Sequence, residues 1–276
     1  CIHILPLQDC CFVVNKESKL DMHDTHMTYC CNVQKQQKQR HVLIHSPPFK
    51  NVRVGEAKKP GPKSNKSDEG FVLDLCNVTH LVNQASCLIH RKFNALICCE
   101  HSLKPQQFNS IRYLFGKNMF FNMSALVPDT IHQLGGVGML QRFKPPITPQ
   151  IKSKNLLKLK DLGRFGLFAI EISNSTIVLV YHYYGTTGGD HNTAVAQETD
   201  EVLCYILEDC ALQGPGPKLI TGDLNASLSK LPMSTQKMYE GGFTNLGSIA
   251  SNYGGVDDDY TCKANDRSKT IRDYAI

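Results

Sequence analysis

Short apolar runs that alternate with amphipathic segments constrain the fold of this chain more than any other feature of its sequence. The apolar runs are too short for helices and nearly continuous, as in strands buried on both faces: FVLDLCN (71–77), NALICCE (94–100), GGVGMLQ (135–141) and TIVLVYHYY (176–184). Between them lie segments with apolar residues at helical spacing: LVNQASCLIHRKF (81–93), PQQFNSIRYLF (105–115) and AVAQETDEVLCYILEDCALQ (194–213). The alternation predicts an α/β protein of layered sheets covered by helices.

Two of the predicted strands are close neighbours in the chain. The run GLFAIEI (166–172) is followed after three residues by TIVLVYHYY (176–184). A connection this short joins antiparallel strands, because parallel strands need a crossover of a dozen or more residues. We therefore expect a hairpin here, and sheets that mix parallel and antiparallel strands.

The first 69 residues differ in composition from the rest of the chain. From Lys35 to Lys66 there are nine Lys or Arg residues and one acid, and the sequences KKPGPK and KSNKSDEG are typical of linkers. We place a domain boundary near Gly70, with a basic, poorly structured extension and linker at 1–69 and a folded domain at 70–276. The extension suits a polyanionic partner, and a solvated linker explains it equally well.

Neither membrane spans nor secretion are indicated by the sequence. No apolar run approaches the length of about 18 residues that a membrane span requires. The 12 cysteines include three adjacent pairs and no CxxC spacing, which is typical of reduced, intracellular thiols. The chain begins with Cys rather than Met and its N-terminus is a poor signal peptide, so we expect a fragment of an intracellular protein.

Several of the predicted strands end in a polar residue. The residues at these ends are Asn77, Glu100, Tyr184 and, within the sequence Gly-Asp-x-Asn, Asp223 and Asn225. Taken alone, Gly-Asp-x-Asn is typical of an Asx turn. Because loops at strand ends converge on one cleft in layered α/β proteins, four such endings indicate a shared site.

These residue types suit phosphodiester cleavage assisted by a metal ion. Mg²⁺ or Mn²⁺ prefers carboxylate oxygens and keeps several waters, so Glu100 is the candidate ligand. Asp223 can orient or deprotonate an attacking water. Asn77, Tyr184 and Asn225 can donate hydrogen bonds to phosphate oxygens. Each has a structural alternative, which is a turn or cap amide for the asparagines and a packed core ring for the tyrosine.

Two histidines near these strand ends are weaker candidates. His182, within YHYY, is expected to be a strand residue rather than a base. His101 follows Glu100 directly. We expect it to be open to solvent or metal and assign it no role.

The ordered series of strand ends resembles the motifs of the endonuclease/exonuclease/phosphatase superfamily, which has the DNase I-like fold. The resemblance is strongest to the endonuclease domain of non-LTR (LINE-type) retrotransposons and covers about residues 70–276. The matching segments are LCNVTHL at Asn77, ICCEHSL at Glu100, GGVGML, YHYYG at Tyr184, GDLN at Asp223 and Asn225, YTC at Thr261 and TIRDYAI at Asp273. The departures are Cys99 in place of Gln, the missing Thr before His101, His182 in place of Asn, and an interchange of Ile and Arg before Asp273.

The resemblance implies a β-sandwich flanked by helices, with its last strand missing here, and a Mg²⁺- or Mn²⁺-dependent endonuclease that nicks target DNA. It implies a metal ligand at Glu100 and a substrate-binding residue at Thr261. The residues it implies for catalysis are Asp223, Asn225, Tyr184, Asp273 and Asn77. A salt bridge to Arg272 is the structural alternative for Asp273. DNA is the implied partner of a nuclear protein that is a monomer or part of a polyprotein with a reverse transcriptase.

The family's last motif is a strand that ends in Ser-Asp-His, and the chain stops at Ile276 before any such motif. In the family that Asp helps to bind the metal and that His contacts the phosphate, so we expect this fragment to be impaired. Two alternatives stay open. One is a phosphatase of the same superfamily. The other is a non-catalytic, decayed element-derived protein or a nucleic-acid-binding module that uses the basic extension.

Overall fold

Two β-sheets lie face to face in the computed structural model, with helices on their outer sides. The structure describes residues 2–3, 40–44, 71–78, 80–123, 135–142, 144–145, 147–173, 176–253, 257, 262–265, 268–270 and 273–276. The predicted α/β class is confirmed, because each sheet has its inner face on the other sheet and its outer face under helices.

The first sheet has six strands. They are β1 (Ile2–His3), β2 (Arg40–Ile44), β3 (Phe71–Asn77), β4 (Ala95–Cys99), β5 (Met119–Met123) and β6 (Val137–Arg142). Their order across the sheet is β1-β2-β3-β4-β6-β5. Strands β3 and β4 run parallel and the other neighbours are antiparallel, so the sheet is mixed, as predicted.

The second sheet has four strands, and a separate two-stranded ribbon precedes the last of them. In chain order the strands are β7 (Phe165–Ser173), β8 (Thr176–Tyr184), β9 (Lys218–Asp223), the ribbon strands β10 (Cys262–Asn265) and β11 (Ser268–Thr270), and β12 (Asp273–Ala275). The sheet order is β12-β9-β8-β7. Strands β7 and β8 form the predicted antiparallel hairpin, and β9 pairs parallel with β8.

The helices divide between the two outer faces. Those on the first sheet are α1 (Leu81–Ile89) and α2 (Pro105–Phe115), and those on the second are α3 (Lys154–Asp161), α4 (Thr193–Leu212) and α5 (Pro232–Glu240). The sequence pattern predicted α1, α2 and α4 but neither α3 nor α5. The reason is that α3 buries only Leu156, and α5 only Ser234 and Met238, so neither carries a full apolar stripe.

The space between the sheets is filled by side chains from both. The buried residues of this layer are Leu73, Ala95, Ile97, Cys99, Val137 and Met139 from the first sheet and Phe168, Ile170, Val178, Val180, Tyr184, Leu219 and Ala275 from the second. Alternation along β8 decides which tyrosines belong here. Tyr184 faces the other sheet, whereas Tyr181 and Tyr183 pack under the helices. The YHYY cluster therefore contributes two core rings and one ring at the end of the sandwich.

Short segments of the N-terminal extension take part in the first sheet. Strand β2 pairs antiparallel with β3, and β1 pairs with β2. The remainder of residues 1–69 lies outside the described residues, so the division at Gly70 stays a prediction. Within the described part of the chain, none of the helices combines the length and the apolar character that a membrane crossing would need.

Helix α4 carries two buried carboxylates that its apolar stripe did not predict. Asp209 is fully buried and accepts hydrogen bonds from the backbone N–H groups of Lys152 (2.6 Å) and Ser153 (2.8 Å) and from the hydroxyl of Tyr181 (3.0 Å). Asp200 accepts the backbone N–H groups of two residues in the first turn of α5, at 2.9 and 2.7 Å. Each carboxylate therefore fixes the start of a neighbouring helix.

Replacing Asp209 with Ala is expected to lower the free energy of unfolding by about 3 kcal/mol, because two backbone N–H groups and the buried hydroxyl of Tyr181 lose their common acceptor. Urea unfolding followed by circular dichroism measures the difference. Glu201→Ala, an exposed carboxylate on the same helix, is the control and should change the free energy by less than about 0.5 kcal/mol. Equal losses in the two variants would contradict the role given to Asp209.

Candidate active site

Three of the predicted residues form one row across the end of the second sheet. Tyr184 at the end of β8 is the register partner of Asp223 at the end of β9, and Asp223 is the partner of Asp273 at the start of β12. Directly opposed residues on neighbouring strands point to the same face of a sheet. The backbone register therefore sets the three residues side by side, although the side chain of Asp273 lies outside what the structure describes.

The first sheet contributes Asn77 and Glu100 at the corresponding ends of its two parallel strands. Asn77 ends β3 and is the register partner of Cys99, the last residue of β4, so Glu100 lies one residue beyond. Glu100 has a φ of 55°, a left-handed conformation that costs a non-glycine residue roughly 1–3 kcal/mol. The backbone N–H of His80 donates to the Glu100 carbonyl at 2.9 Å and helps to hold this turn.

A side-chain hydrogen bond joins the two sheets at this end of the sandwich. The hydroxyl of Tyr184 donates to a carboxylate oxygen of Glu100. Burial raises the pKa of Tyr184 above its usual value, and the bond to Glu100 and the negative charge of Asp223 raise it further. Tyr184 therefore stays protonated at neutral pH and acts as a hydrogen-bond donor between two carboxylates.

The Gly-Asp-x-Asn sequence forms an Asx turn and also supports the site. Asp223 Oδ1 accepts the backbone N–H of Asn225 at 3.2 Å, which is the turn expected from the sequence. The side-chain amide of Asn225 donates to the carbonyl of Gly185 at 3.1 Å, and Asn225 is buried with a φ of 52°. The turn alternative is therefore confirmed, and the amide of Asn225 also ties the end of β9 to the residue after Tyr184.

Two glycines allow the ends of β8 and β9 to lie this close. A Cβ atom on Gly222 would overlap the carbonyl oxygen of Tyr183, and one on Gly185 would overlap the carbonyl oxygen of Leu224. Because backbone atoms cannot move aside as a flexible side chain can, any other residue would push the two strand ends apart.

Arg164 is a residue of this region that the sequence analysis missed. Its guanidinium carbon lies 5.6 Å from the centre of the Tyr184 ring, and its guanidinium donates to Thr186 Oγ1 at 2.7 Å. The backbone N–H of Tyr184 donates to the Arg164 carbonyl at 2.9 Å. Counting residues back from the hairpin turn sets position 164 opposite position 184. The predicted hairpin was therefore enough to place Arg164 beside Tyr184.

The two histidines near the strand ends are both buried. His182 is a neutral strand residue, as expected, with Nδ1 2.8 Å from Thr221 Oγ1. The expectation for His101 was wrong. It is fully buried, its Nδ1 accepts the backbone N–H of Leu103 at 3.1 Å, and its ring packs on the backbone of Gly136. A histidine after a strand end can thus be buried and accept a backbone hydrogen bond in a turn. Its sequence position is the same as that of an exposed or metal-binding histidine.

Acidification is expected to destabilise the protein through His182. Burial lowers the pKa of His182 from 6.5 to about 3, so the unfolded chain binds a proton in a range where the folded chain does not. The stabilisation that neutral His182 gives the folded state is present above pH 6.5 and is lost as the pH falls toward 3. The loss is about 2 kcal/mol at pH 5 relative to pH 8. Urea unfolding at both pH values should show a smaller difference for His182→Asn than for wild type, whereas the exposed His191→Asn should behave as wild type does.

The structure does not describe the side chains of two predicted site residues. Thr261 lies outside the described residues, and of Asp273 only the backbone is described. Among the residues whose side chains are described, no group of three or more His, Cys, Asp or Glu residues lies close enough together to hold a metal ion. The metal ligand at Glu100 therefore stays a prediction.

No protein-family model and no curated protein matches the sequence. Solved structures do match. An AP endonuclease from Archaeoglobus fulgidus superimposes with a TM-score of 0.50 and 11% identity, over 74% of this chain and 84% of that one. The 3′ phosphatase NExo from Neisseria, bound to a product DNA hairpin, superimposes with a TM-score of 0.53 and 13% identity, over 74% of this chain and 84% of that one.

The endonuclease domain of TRAS1, a telomere-specific non-LTR retrotransposon, gives a TM-score of 0.46 and 14% identity over 74% of this chain and 84% of that one. That score is too low to bear on the subtype. At identities this small the likeness concerns the fold, which the two matches at 0.50 and above share with this chain. The chain therefore has the DNase I-like fold.

Proposed function

We propose that this chain is a divalent-metal-dependent phosphodiesterase, and specifically a retrotransposon-type endonuclease that nicks target DNA. The observation that carries the proposal is the hydrogen bond from Tyr184 to Glu100, which joins polar strand ends from both sheets. Its support is the combination of the sequence motifs with a fold shared by an AP endonuclease and a DNA 3′ phosphatase. Fold alone does not fix an activity, so the proposal depends on these side chains.

The residues at these strand ends fit a magnesium or manganese ion. Mg²⁺ in phosphate-handling sites is held by one or two carboxylates and keeps several waters. Glu100 offers a half-buried carboxylate at a fixed turn, and Asn77 offers an amide oxygen at the end of the adjacent strand. An ion held there would neutralise negative charge on the phosphate.

The other side chains supply orientation and proton transfer. Asp223 orients and deprotonates the attacking water, next to the hydroxyl of Tyr184. With an ion held by Glu100, the single hydroxyl hydrogen of Tyr184 would turn from Glu100 to a phosphate oxygen as charge develops there. Asn225 uses one amide N–H on Gly185 and offers the other to the phosphate. Asp273 adds a carboxylate beside Asp223 in the register, and Thr261 keeps its predicted role in substrate binding.

The rate of this 276-residue chain is expected to be low. It contains no Ser-Asp-His sequence, and residues of such sites act as a unit, so the loss of one group removes much of the rate. We propose DNA as the partner of a monomer, or of a domain in a polyprotein with a reverse transcriptase.

Nicking of supercoiled plasmid by an excess of protein tests the proposal. We expect slow nicking with Mg²⁺ or Mn²⁺ and none with EDTA. A DNA oligonucleotide with a 3′-phosphate, incubated in parallel, tests the second candidate, a phosphatase, which the Neisseria neighbour favours. Release of inorganic phosphate without nicking would favour the phosphatase. Failure of both reactions, with DNA still bound, would favour the non-catalytic alternative.

A further inference from the structure

We propose that the outer edge of strand β5 is a binding groove for an extended, acidic peptide segment of a partner protein, which adds to the first sheet as a further strand. We name this surface the β5 groove. Its lining includes Phe108 and Arg112 of α2, Phe120, Phe121 and Asn122 of β5, and Thr148. The surface is independent of the proposed nuclease activity.

Strand β5 is an outermost strand of the first sheet in the part of the chain that the structure describes. Its neighbour there is β6, and the sheet order places no described strand on its other side. Alternate backbone N–H and C=O groups of such a strand point away from the sheet, where a further strand can pair with them. The five residues of β5, Met119–Met123, include neither a charge nor a proline, the usual devices against pairing at an edge, and span about 17 Å.

The β5 groove has walls on both sides of this edge. Alternate residues of a strand lie on opposite faces, so Phe121 belongs to the face under the helices and Phe120 to the other, and both are half-buried. On the helix side, the ring of Phe108 packs edge-on against Phe121 with centroids 5.9 Å apart. On the other side, Asn122 donates to Thr148 Oγ1 at 3.2 Å. The edge of β5 therefore lies in a groove of about 360 Å³ that offers apolar surface to alternate side chains of an added strand.

The charge of the groove favours an acidic partner. Arg112 is exposed, is the one charged residue among the described residues that line the groove, and takes part in none of the ion pairs formed between described residues. Lys117, also exposed, lies two residues before β5, and residues 101–150 contain five Lys or Arg and one acid. Lys144 is instead paired with Glu171 at 3.0 Å. Because a guanidinium binds a carboxylate through two parallel hydrogen bonds, a Glu or Asp of the added strand has a partner at Arg112.

Two other occupants fit these observations less well. A second copy of the chain, paired through its own β5, would bring two copies of the same positive surface together, and like charges oppose such pairing. A single-stranded nucleic acid stacks its bases on accessible aromatic rings. The ring of Phe121 is already engaged by those of Phe108 and Phe115, at 5.9 and 5.6 Å between centroids.

Fluorescence anisotropy with labelled peptides tests the groove in the full chain. The probe is acetyl-EEVTVTVEE-amide, a strand-forming peptide with acidic ends. One control peptide, KKVTVTVKK, reverses the charge, and the other, EEVPVPVEE, cannot extend a backbone ladder. We expect the probe to bind at least about tenfold more tightly than either control peptide. R112E should bind the probe about tenfold more weakly, because repulsion replaces attraction, whereas K92E, a change at an exposed lysine before β4, should match wild type.

Binding of the probe by R112E as tightly as by wild type would overturn the proposal, and so would equal affinity for the probe and either control peptide. Displacement of the probe by an oligo-dT strand would overturn it in favour of a nucleic-acid site. If wild type bound none of the peptides and R112E formed dimers on size-exclusion chromatography, the positive charge would serve only to keep the edge from pairing with a second copy. Circular dichroism checks that both variants are folded. Nicking is not involved in any of these measurements, so the proposed function is tested separately.

Discussion

Asp223→Asn is expected to lower the rate of Mg²⁺-dependent nicking about 10³-fold, or to the limit of detection. The substitution keeps the size of the side chain and an oxygen that can accept the N–H of Asn225, so the turn at the end of β9 should survive. It removes the negative charge beside Tyr184 and the group that takes a proton from water. Single-turnover nicking with protein in excess measures the rate, and circular dichroism checks the fold.

Asp257→Asn is the matched control for this experiment. Asp257 is exposed and accepts a backbone N–H and a hydroxyl from Ser251, so it is an aspartate that holds a turn. Its substitution should leave the nicking rate within about twofold of wild type. Similar rates for Asp223→Asn and Asp257→Asn would mean that Asp223 is a turn residue only.

Glu100→Gln is expected to weaken Mn²⁺ binding more than tenfold and to lower the nicking rate by two to three orders of magnitude, roughly. Glutamine still accepts the hydroxyl of Tyr184, so the contact between the sheets is retained while the charge is lost. Electron paramagnetic resonance of free Mn²⁺ during titration measures the affinity and needs no catalytic turnover.

Glu198→Gln provides the control for the loss of a carboxylate near the site. Glu198 is exposed and accepts the hydroxyl of Thr186 at 3.4 Å, two residues after Tyr184 in the chain. Its substitution should leave the Mn²⁺ affinity unchanged. If both variants bound Mn²⁺ as wild type does, the metal ligand would have to lie elsewhere.

The parts of the fold that the sequence predicted depend on local pattern. Continuous apolar runs identified β3, β4 and β8, apolar residues at helical spacing identified the long helix α4, and the three-residue connection identified the β7–β8 hairpin. What the pattern missed depends on distant partners. Asp209 looks like a break in an apolar stripe until the backbone N–H groups that donate to it, from residues 56 and 57 positions earlier, are known. Such a carboxylate is buried because it caps another element, which no local period records.

The sequence predicted which polar residues lie at these strand ends, but not the contacts between them. Polar strand ends pointed to Asn77, Glu100, Tyr184 and Asp223 because strand ends converge in layered proteins. The bond between Tyr184 and Glu100 spans 84 residues and two sheets, so only the packing of the sandwich reveals it. Arg164 was missed for a different reason, because it precedes its strand and has no strand-end position to mark it.

A crystal grown with Mn²⁺ would test the central claim, that these strand ends form one metal-dependent site, most directly. An anomalous difference map locates the ion without any need for activity. The account predicts a peak bonded to a carboxylate oxygen of Glu100, within the space bounded by Asn77, Tyr184 and Asp223. A map with no peak at Glu100 in saturating Mn²⁺, or with a peak bound only by residues away from these strand ends, would contradict it.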